Sequence, residues 1–381
     1  AVYCTAWTYY GSVGRAATSG LGFLTTYLGP AILAPVWWLL LKKIILISKT
    51  QRITSIADFI SSRYGKSTWL GVLATLIAVF GIIPYISIQL KAISTSFDLL
   101  VGHGPLNHPN PTQSPFYLDT ALYIAIALAA FTILFGTRNL DPNERHGGLV
   151  AAIAFESVLK LVAFLAIGIY VTFGLHGGFG PLFEKAAEVP SIRQLFTLEA
   201  VGLNGWEWFW LVFLSMSAIM LLPRQFHMLF TENLQDQGLR TASWGFPLFL
   251  LLLAMAIPPL LWAGQALGLS TPADYTVLGV AGESGSAAVV LFTYLGGISA
   301  ASAMIIVSTL ALSSMCLNHL VLPVMRITGR QDLYQTLRWT RRALIAAVIA
   351  AGYFFYLSLE RTEGLVSWGL ISFLAMAQLI P

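Results

Sequence analysis

Charge and cysteine are scarce in this chain. Charged residues make up only 10% of the 381 residues. The two cysteines, Cys4 and Cys316, show neither metal-ligand spacing nor a disulfide framework. Hydrophobic residues make up 57% of the sequence, and no segment is polar enough to form a separate soluble domain. These features argue against a disulfide-stapled secreted module and against a water-soluble enzyme, and they indicate a protein of the membrane interior.

Apolar runs recur from one end of the chain to the other. A membrane-spanning helix needs about 20 mostly apolar residues, whereas a barrel strand alternates over about 10 residues. The lengths of the runs therefore predict one all-α integral membrane domain over residues 1–381, truncated at both ends relative to a longer protein. Ten spans are predicted, at Ala1–Gly14, Leu21–Leu41, Trp69–Leu99, Ala121–Phe135, Gly148–Phe173, Trp206–Leu222, Gly245–Leu267, Ser299–Met325, Ala343–Leu359 and Leu365–Pro381.

Basic residues concentrate in alternate connections between these spans. The even connections hold 6 + 2 + 2 + 5 = 15 of the 21 Lys and Arg residues, and the odd connections hold 4. Because basic loops stay in the cytoplasm, this split assigns the even connections to the cytoplasmic side. The net charge of +4 follows from topology and is not a nucleic-acid signal. The sixth connection contributes Arg224 and Arg240.

Polar stretches between the spans suggest further elements. Ser55–Lys66 carries Ile56, Phe59 and Ile60 on one helical face, which predicts an amphipathic interfacial helix. Val101–Asp119 is rich in proline and asparagine and predicts an outer loop.

Several motifs resemble the sodium/solute symporter family. In its first core helix a small-residue stretch precedes a Trp, two spaced glycines and a Ser-Gly pair, and this sequence has Trp7, Gly11, Gly14 and Ser19-Gly20. Three more segments match, at Arg52–Lys66, Pro84–Ser94 and Ser302–Asn318. The resemblance implies a LeuT-like inverted-repeat transporter that moves a small solute by alternating access.

A narrower resemblance is to the membrane half of transporter-type sensor histidine kinases. The segments AVYCTAWTYYG, QRITSIADFISSRYG, FESVLKLVAF, and LPRQFHMLFTEN followed by LRTASWGFPLFLLL carry it. It implies a multi-pass protein of the bacterial inner (cytoplasmic) membrane, with a kinase region after Pro381 and a response regulator as partner.

The family resemblance also implies a sodium site between the first and eighth helices. Sodium binds about five or six oxygens, and carbonyls and hydroxyls supply them without a second charge. An alternative is that paired serines only bond back to their own helix, and Ser308-Thr309 is a competing register. The implied ligands are the carbonyls of Ala1, Cys4 and Leu310 and the hydroxyls of Ser313 and Ser314.

One position departs from the well-known sodium-coupled members. Where they carry an Asp in the first-helix motif, this chain has Tyr3. The change removes a negative charge from the cation pathway, so coupling is altered, driven by protons, or lost.

Ionisable residues inside predicted spans are functional candidates. Glu156 and Lys160 are four residues apart on one helical face and form a candidate coupling pair, with Glu156 as the proton carrier. A neutral structural pair is the alternative. Lys91 binds a substrate carboxylate or reaches the outer interface.

The substrate cavity is expected at the midplane, against the break in the first helix. Aromatic positions used by amino-acid symporters of the family are Ala218 and Leu222 here, although Gln225 and His227 match the Gln-x-His that follows. His227 and Glu232 either transmit the transport state or pair locally. The candidate substrate residues are Thr5, Trp7, Tyr10, Gln89, Lys91, Ser215 and Ser217.

These observations predict sodium- or proton-coupled transport of a small organic solute, most plausibly an amino acid, as the input domain of a sensor kinase. The alternative is a transceptor that senses the solute without appreciable transport. A membrane-embedded enzyme is disfavoured, because no span clusters acid, base and metal groups. No cofactor is expected beyond the coupling ion.

Overall fold

The protein is helical throughout the described residues. The computed structural model describes residues 2–101, 119–137, 147–190, 192, 195, 202, 204–233, 238–325, 332–359 and 365–379, and no β-strand occurs among them. The α-helices are α1 Ser12–Ser19, α2 Thr25–Leu33, α3 Trp37–Gln51, α4 Ile56–Arg63, α5 Thr68–Leu100, α6 Thr120–Gly136, α7 Gly147–Ile169, α8 Phe179–Glu188, α9 Gly205–Leu221, α10 Pro223–Phe226, α11 Leu239–Ala266, α12 Thr276–Gly282, α13 Ala287–Cys316, α14 Leu333–Leu357 and α15 Leu365–Ala377.

The multi-span helical fold predicted from the sequence is confirmed. Six helical segments among the described residues are long and apolar enough to cross a membrane, and the bent pair α9 and α10 makes a seventh. The first segment, Trp7–Gln51, includes a break at Gly20, where φ is +48°. The helices α6 and α15 are shorter and apolar. The first two predicted spans share the segment Trp7–Gln51, apart from the non-helical residues 2–5, and the other eight fall on the remaining apolar helices.

Several predicted boundaries were wrong. The eighth span was predicted to begin at Ser299, but α13 begins at Ala287 and passes through Gly296 and Gly297 without interruption. The glycines do not break this helix because they accommodate the rings of Tyr9 and Tyr10. The ninth span begins at Leu333, because Asp332 caps it by accepting hydrogen bonds from the amides of Tyr334 and Gln335.

Two long helices form the centre of the molecule. The helix α5 packs against α13, α14 and α15, and α13 also packs against α7. In their most apolar windows α5 is 61% buried and α13 is 67% buried, compared with 33% for the segment that contains α7. Pro84 lies inside α5 without ending it, and the hydroxyl of Ser87 bonds back to the Pro84 carbonyl at 2.6 Å.

The short polar segments also form helices. The helix predicted over Ser55–Lys66 is observed as α4, capped by Ser55, whose hydroxyl accepts from the Asp58 amide at 3.1 Å. Ile56 is buried in the core, and Phe59 and Ile60 pack against it. The helix α8 is a further short helix between α7 and α9.

Candidate functional site

The first helix begins after an unwound, buried segment. Residues 2–5 are not helical, and the helix starts at Ala6 with a π-helical turn over Trp7–Gly11. Cys4 and Thr5 are each 1% exposed. Non-helical backbone at membrane depth needs partners for its polar groups, so the neighbours of this segment, the first break, decide its chemistry.

Side chains from α5 and α7 satisfy the first break. The Lys160 ammonium donates to the Cys4 carbonyl at 2.6 Å. The Ala6 amide donates to Gln89 Oε1 at 3.0 Å. The hydroxyls of Thr5 and Tyr85 share a hydrogen bond of 2.9 Å. The first break is therefore held by fixed protein groups, one of which carries a positive charge.

The predicted pair Glu156 and Lys160 reaches two different elements. Lys160 extends to the first break, whereas Glu156 Oε1 accepts from the Ser302 hydroxyl of α13 at 3.1 Å. Glu156 Oε2 is buried and makes no hydrogen bond within the described structure. The two side chains therefore link α7 to both helices that were expected to hold the ion.

The part of α13 that contacts the first break precedes the predicted Ser313 and Ser314 in the sequence. Val2 forms a small core cluster with Ile153, Ala303 and Val307. Ser308 and Thr309 follow directly, and their hydroxyls are buried without a hydrogen-bond partner among the described residues. Helical Ser and Thr usually bond back to their own backbone, so these two free hydroxyls are unusual.

The predicted serine pair has a different environment. The Ser313 hydroxyl bonds back to the Leu310 carbonyl at 2.9 Å, and Ser314 is half-buried. The Leu310 side chain packs against Gly136 of α6, away from the first helix. This geometry favours the competing register Ser308-Thr309 over Ser313-Ser314. Ala1, the remaining predicted ligand, lies outside the described residues.

A second break interrupts the sixth span. The helices α9 and α10 meet at Leu222 with a bend of 51°. Arg224 follows Pro223 in α10 and is 0% exposed, with its guanidinium carbon 4.4 Å from the centre of the Tyr85 ring. All three of its side-chain nitrogens are buried without a hydrogen-bond partner in the described part of the chain.

Arg224 is the residue that sequence reasoning missed. It was counted in a cytoplasmic connection, and its removal from that set leaves the basic bias intact. The signal was present, since Pro223 stands immediately before it at the end of an apolar run and a proline commonly starts a new helix. The alternating-loop count treats every Arg between two spans alike, so it could not detect that this one is buried.

Two predicted substrate residues, Thr5 and Gln89, lie at the first break. Trp7 follows it and donates from Nε1 to the Val366 carbonyl of α15 at 3.3 Å, with its ring 5.3 Å from that of Phe373. The Nε2 group of Gln89 is buried and has no partner among the described groups.

The other predicted substrate residues lie elsewhere. Tyr10 packs against Gly297 and Tyr275, and Lys91 lies within electrostatic reach of Asp274. Ser215 donates to the Thr25 carbonyl of α2 at 2.7 Å. Ser217 bonds back to the Phe213 carbonyl at 2.8 Å. The contacts of Tyr10, Lys91 and Ser215 join separate elements, whereas the Ser217 bond stays within α9, and none of these contacts reaches either break.

A cavity of about 430 Å³ lies beside the two breaks. Tyr3 and Gln225 contribute polar atoms to its wall, and none of the predicted substrate residues lines it. Tyr3, which the resemblance aligns with an Asp of sodium-coupled family members, donates from its hydroxyl to the Thr26 carbonyl at 2.6 Å. The remaining lining residues are Val2, Trp37, Ser157, Val158, Leu161, Ile219, Met228, Leu229, Ala242, Gly245, Phe246 and Phe249.

A polar cluster ties three segments together away from the breaks. Asp58 of α4 contacts His319 with Oδ1 at 2.9 Å from Nε2, and its Oδ2 accepts from the Thr54 hydroxyl at 2.6 Å. The Thr231 hydroxyl donates to the Thr54 carbonyl at 3.2 Å. Burial raises the pKa of Asp58, but hydrogen bonds from His319 and Thr54 outweigh it, and the net pKa is lowered.

His227 and Glu232, expected either to transmit the transport state or to pair locally, contact each other. His227 Nε2 lies 3.3 Å from Glu232 Oε1 within the π-helical turn His227–Thr231 and the residue after it.

Two comparisons with known proteins agree with this architecture. Residues 1–104 match the Sodium:solute symporter family. A protein of Bacillus subtilis (strain 168) called "Uncharacterized symporter YhjB" is 25% identical over 184 residues, which is 48% of this chain and 33% of that relative. The matched region thus spans about a third of the relative's length. The first 104 residues, which include the first break, Tyr85 and Gln89, are therefore similar to the Sodium:solute symporter family.

Proposed function

We propose that this chain performs secondary active transport of a small organic solute across the membrane, coupled to a cation. The observation that carries the proposal is the buried first break, whose polar groups bond to α5 and α7 and whose Val2 packs against α13. Broken helices with free backbone groups at membrane depth are how many transporters build ion and substrate sites. The symporter-family match over residues 1–104 supports the same function.

Sodium is the first candidate for the coupling ion. The family match implies it, and the carbonyl of Cys4 with the unpartnered hydroxyls of Ser308 and Thr309 supplies oxygens of the kind that sodium prefers. In this proposal the ion bridges the first helix and α13. A second broken helix at Leu222, in the corresponding place of the second half, supports the LeuT-like inverted repeat that the resemblance implies.

Protons are the second candidate, and one contact favours them. The Lys160 ammonium already donates to the Cys4 carbonyl, at a position where a sodium ion would be bound. A lysine there supplies a positive charge of its own, and losing its proton would release the carbonyl. Glu156, with one unpartnered oxygen, remains the proton-carrying candidate beside it.

The test is solute uptake into proteoliposomes that contain the full-length protein. A panel of radiolabelled solutes is offered under a sodium gradient, a proton gradient and neither. We expect gradient-driven accumulation that is lost in Ser308→Ala/Thr309→Val and retained in the matched pair Ser313→Ala/Ser314→Ala. Loss only in the second pair would reverse the choice of register, and uptake independent of both gradients would refute coupled transport.

We propose an amino acid as the solute and a sensor histidine kinase as the parent protein, on the strength of the resemblance of four segments alone. The alternative, a transceptor, is favoured by Tyr3, which replaces the acidic residue of the cation pathway and is bonded to Thr26. Solute-dependent autophosphorylation from labelled ATP tests the kinase proposal. Saturable binding without accumulation under any gradient would select the transceptor.

A further inference from the structure

We infer that the second break recognises the carboxylate group of the solute through Arg224. This inference deepens the proposed transport function and rests on it. Its starting point is a guanidinium that is 0% exposed and has no hydrogen-bond partner for any of its three nitrogens within the described structure. A buried charge without a counter-charge is costly, so natural proteins retain one where it has a function.

The guanidinium contacts the aromatic side chain of Tyr85. Its carbon lies 4.4 Å from the centre of the Tyr85 ring, which is fully buried in α5. A cation–π contact recovers far less free energy than burying an unpaired cation costs. The contact orients the planar guanidinium without neutralising it, and the donor fork stays available for an anion.

Other unpartnered groups in the neighbourhood are donors too. Gln89 lies one helical turn after Tyr85, and its Oε1 is occupied by the Ala6 amide, so only its buried amide NH₂ group is left. The NH₂ group of Gln225, next to Arg224 in the chain, is likewise buried and unpartnered among the described residues, and Gln225 lines the cavity.

Charge in this region adds to the same preference. Lys160 lies close enough to Arg224 for their charges to repel, while its ammonium is engaged by the Cys4 carbonyl. Lys160 also interacts with Glu156, so the buried guanidinium and the two spare amide donors are what select an anion and disfavour a cationic solute. The planar five-donor fork of arginine matches a carboxylate in bidentate geometry. The inferred ligand class is therefore a carboxylate-bearing solute, which includes simple organic acids and amino acids.

The test compares solutes and variants by ligand-induced thermal stabilisation of the purified full-length protein. The carboxylate probes are acetate, pyruvate, L-alanine and L-proline, and the probes without a carboxylate are D-glucose and choline. We expect stabilisation by at least one carboxylate and a loss of roughly 10- to 100-fold in its affinity in Arg224→Met. Arg224→Lys keeps the charge but not the planar donor fork, so its affinity for the carboxylate should lie between those of the wild type and Arg224→Met. Arg240→Met, at an exposed cation of α11, is the matched control and should bind as the wild type does.

Stability without solute separates recognition from a structural role. If Arg224 is an unpaired binding group, Arg224→Met is at least as stable as the wild type, because the uncompensated charge is gone. A large loss of stability in both Arg224→Met and Arg224→Lys would mean that the residue only supports the fold. Stabilisation by glucose or choline alone, or by no carboxylate, overturns the inference.

Failure of the inference and failure of the proposed function give different results. Arg224-dependent carboxylate binding without uptake under any gradient would refute transport and leave the inference standing. Gradient-driven uptake of a solute whose affinity is unchanged in Arg224→Met would refute the inference and leave transport standing.

Discussion

The two helix breaks differ in how their polar groups are satisfied. At the first break the Cys4 carbonyl, the Ala6 amide and the Thr5 hydroxyl are all bonded, to Lys160, Gln89 and Tyr85. At the second, Arg224 has no hydrogen-bond partner in the described structure. Tyr85 touches both. The difference indicates that protein groups satisfy the polar groups of the first break, whereas the second break keeps spare donors, as the inferred carboxylate recognition requires.

The largest expected effect comes from removing the charged hydrogen-bond donor of the first break, which would make the two breaks alike. In Lys160→Met the Cys4 carbonyl loses its charged donor, and leaving a buried acceptor unsatisfied costs about 1–3 kcal/mol. We expect solute uptake to fall by about tenfold or more and the unfolding temperature to drop. Added sodium should raise the unfolding temperature of the variant more than that of the wild type, because the freed carbonyl can bind it.

The control for that experiment is Lys185→Met, which removes an exposed lysine of α8. It should change neither uptake nor the response to sodium. If sodium stabilises the wild type as strongly as Lys160→Met, the ammonium does not occupy the place of the ion.

A second prediction concerns the contact between α15 and Trp7, which follows the first break. A methyl group at Gly369 of α15 would overlap the Trp7 indole, which is 2% exposed and cannot move freely. We expect Gly369→Ala to lower the free energy of unfolding by about 1–3 kcal/mol and to reduce uptake. The measurement is unfolding in detergent with uptake in parallel.

Gly245→Ala is the matched control, since nothing lies within 4 Å of the added methyl group in α11. Removing a helical glycine there should stabilise the protein by about 0.5–1 kcal/mol. Equal effects of the two substitutions would show that the Trp7 contact is not tight.

A third prediction concerns the polar cluster that joins α4 to the segment after the second break. At neutral pH Asp58→Asn should cost about 1–2 kcal/mol, because the ionised carboxylate accepts from Thr54 and contacts His319. The pKa of Asp58 is lowered in the folded protein. Its stabilisation is therefore present above about pH 4, the usual aspartate value, and is lost as the pH falls through the lowered pKa.

Unfolding measured from neutral to acidic pH tests this, with the exposed Glu188→Gln as control. The difference between wild type and Asp58→Asn should shrink below about pH 4. A constant difference across that range would show that the carboxylate charge is not what stabilises the cluster.

The smallest expected effect distinguishes two serines on the helix before the second break. Ser215 bonds across to the Thr25 carbonyl of α2, whereas Ser217 bonds only to its own helix. Ser215→Ala should lose about 1 kcal/mol of unfolding free energy, and Ser217→Ala should lose less than about 0.5 kcal/mol. A larger effect of Ser217→Ala on uptake than on stability would instead return it to the substrate site.

Sequence reasoning located the spans better than the site. The apolar runs predicted where the apolar helices lie, although the first two predicted spans belong to one segment, since a span must be apolar wherever it touches lipid. The predicted starts of α13 and α14 were wrong, because glycines inside α13 and arginines inside α14 resembled helix boundaries. The glycines of α13 accommodate rings from the first helix, a contact between residues about 290 positions apart that no local pattern contains.

Three residues that the sequence singled out lie together around the first break. Thr5 and Gln89 were placed against the break in the first helix, and Lys160 was chosen as an ionisable residue inside a span. The resemblance could not choose between two hydroxyl pairs on α13. They lie about five residues apart, and only the packing of Val2 against Val307 favours the earlier one.

The sequence by itself determined the class of protein, the number of apolar segments and the concentration of basic residues in alternate connections. These depend on transfer of side chains between water and lipid, which is a property of composition along the chain. The tertiary structure alone decided that Lys160 reaches the first break and that Arg224 is buried without a hydrogen-bond partner among the described residues. Those facts depend on which helices meet, and that is set by packing over the whole bundle rather than by any one segment.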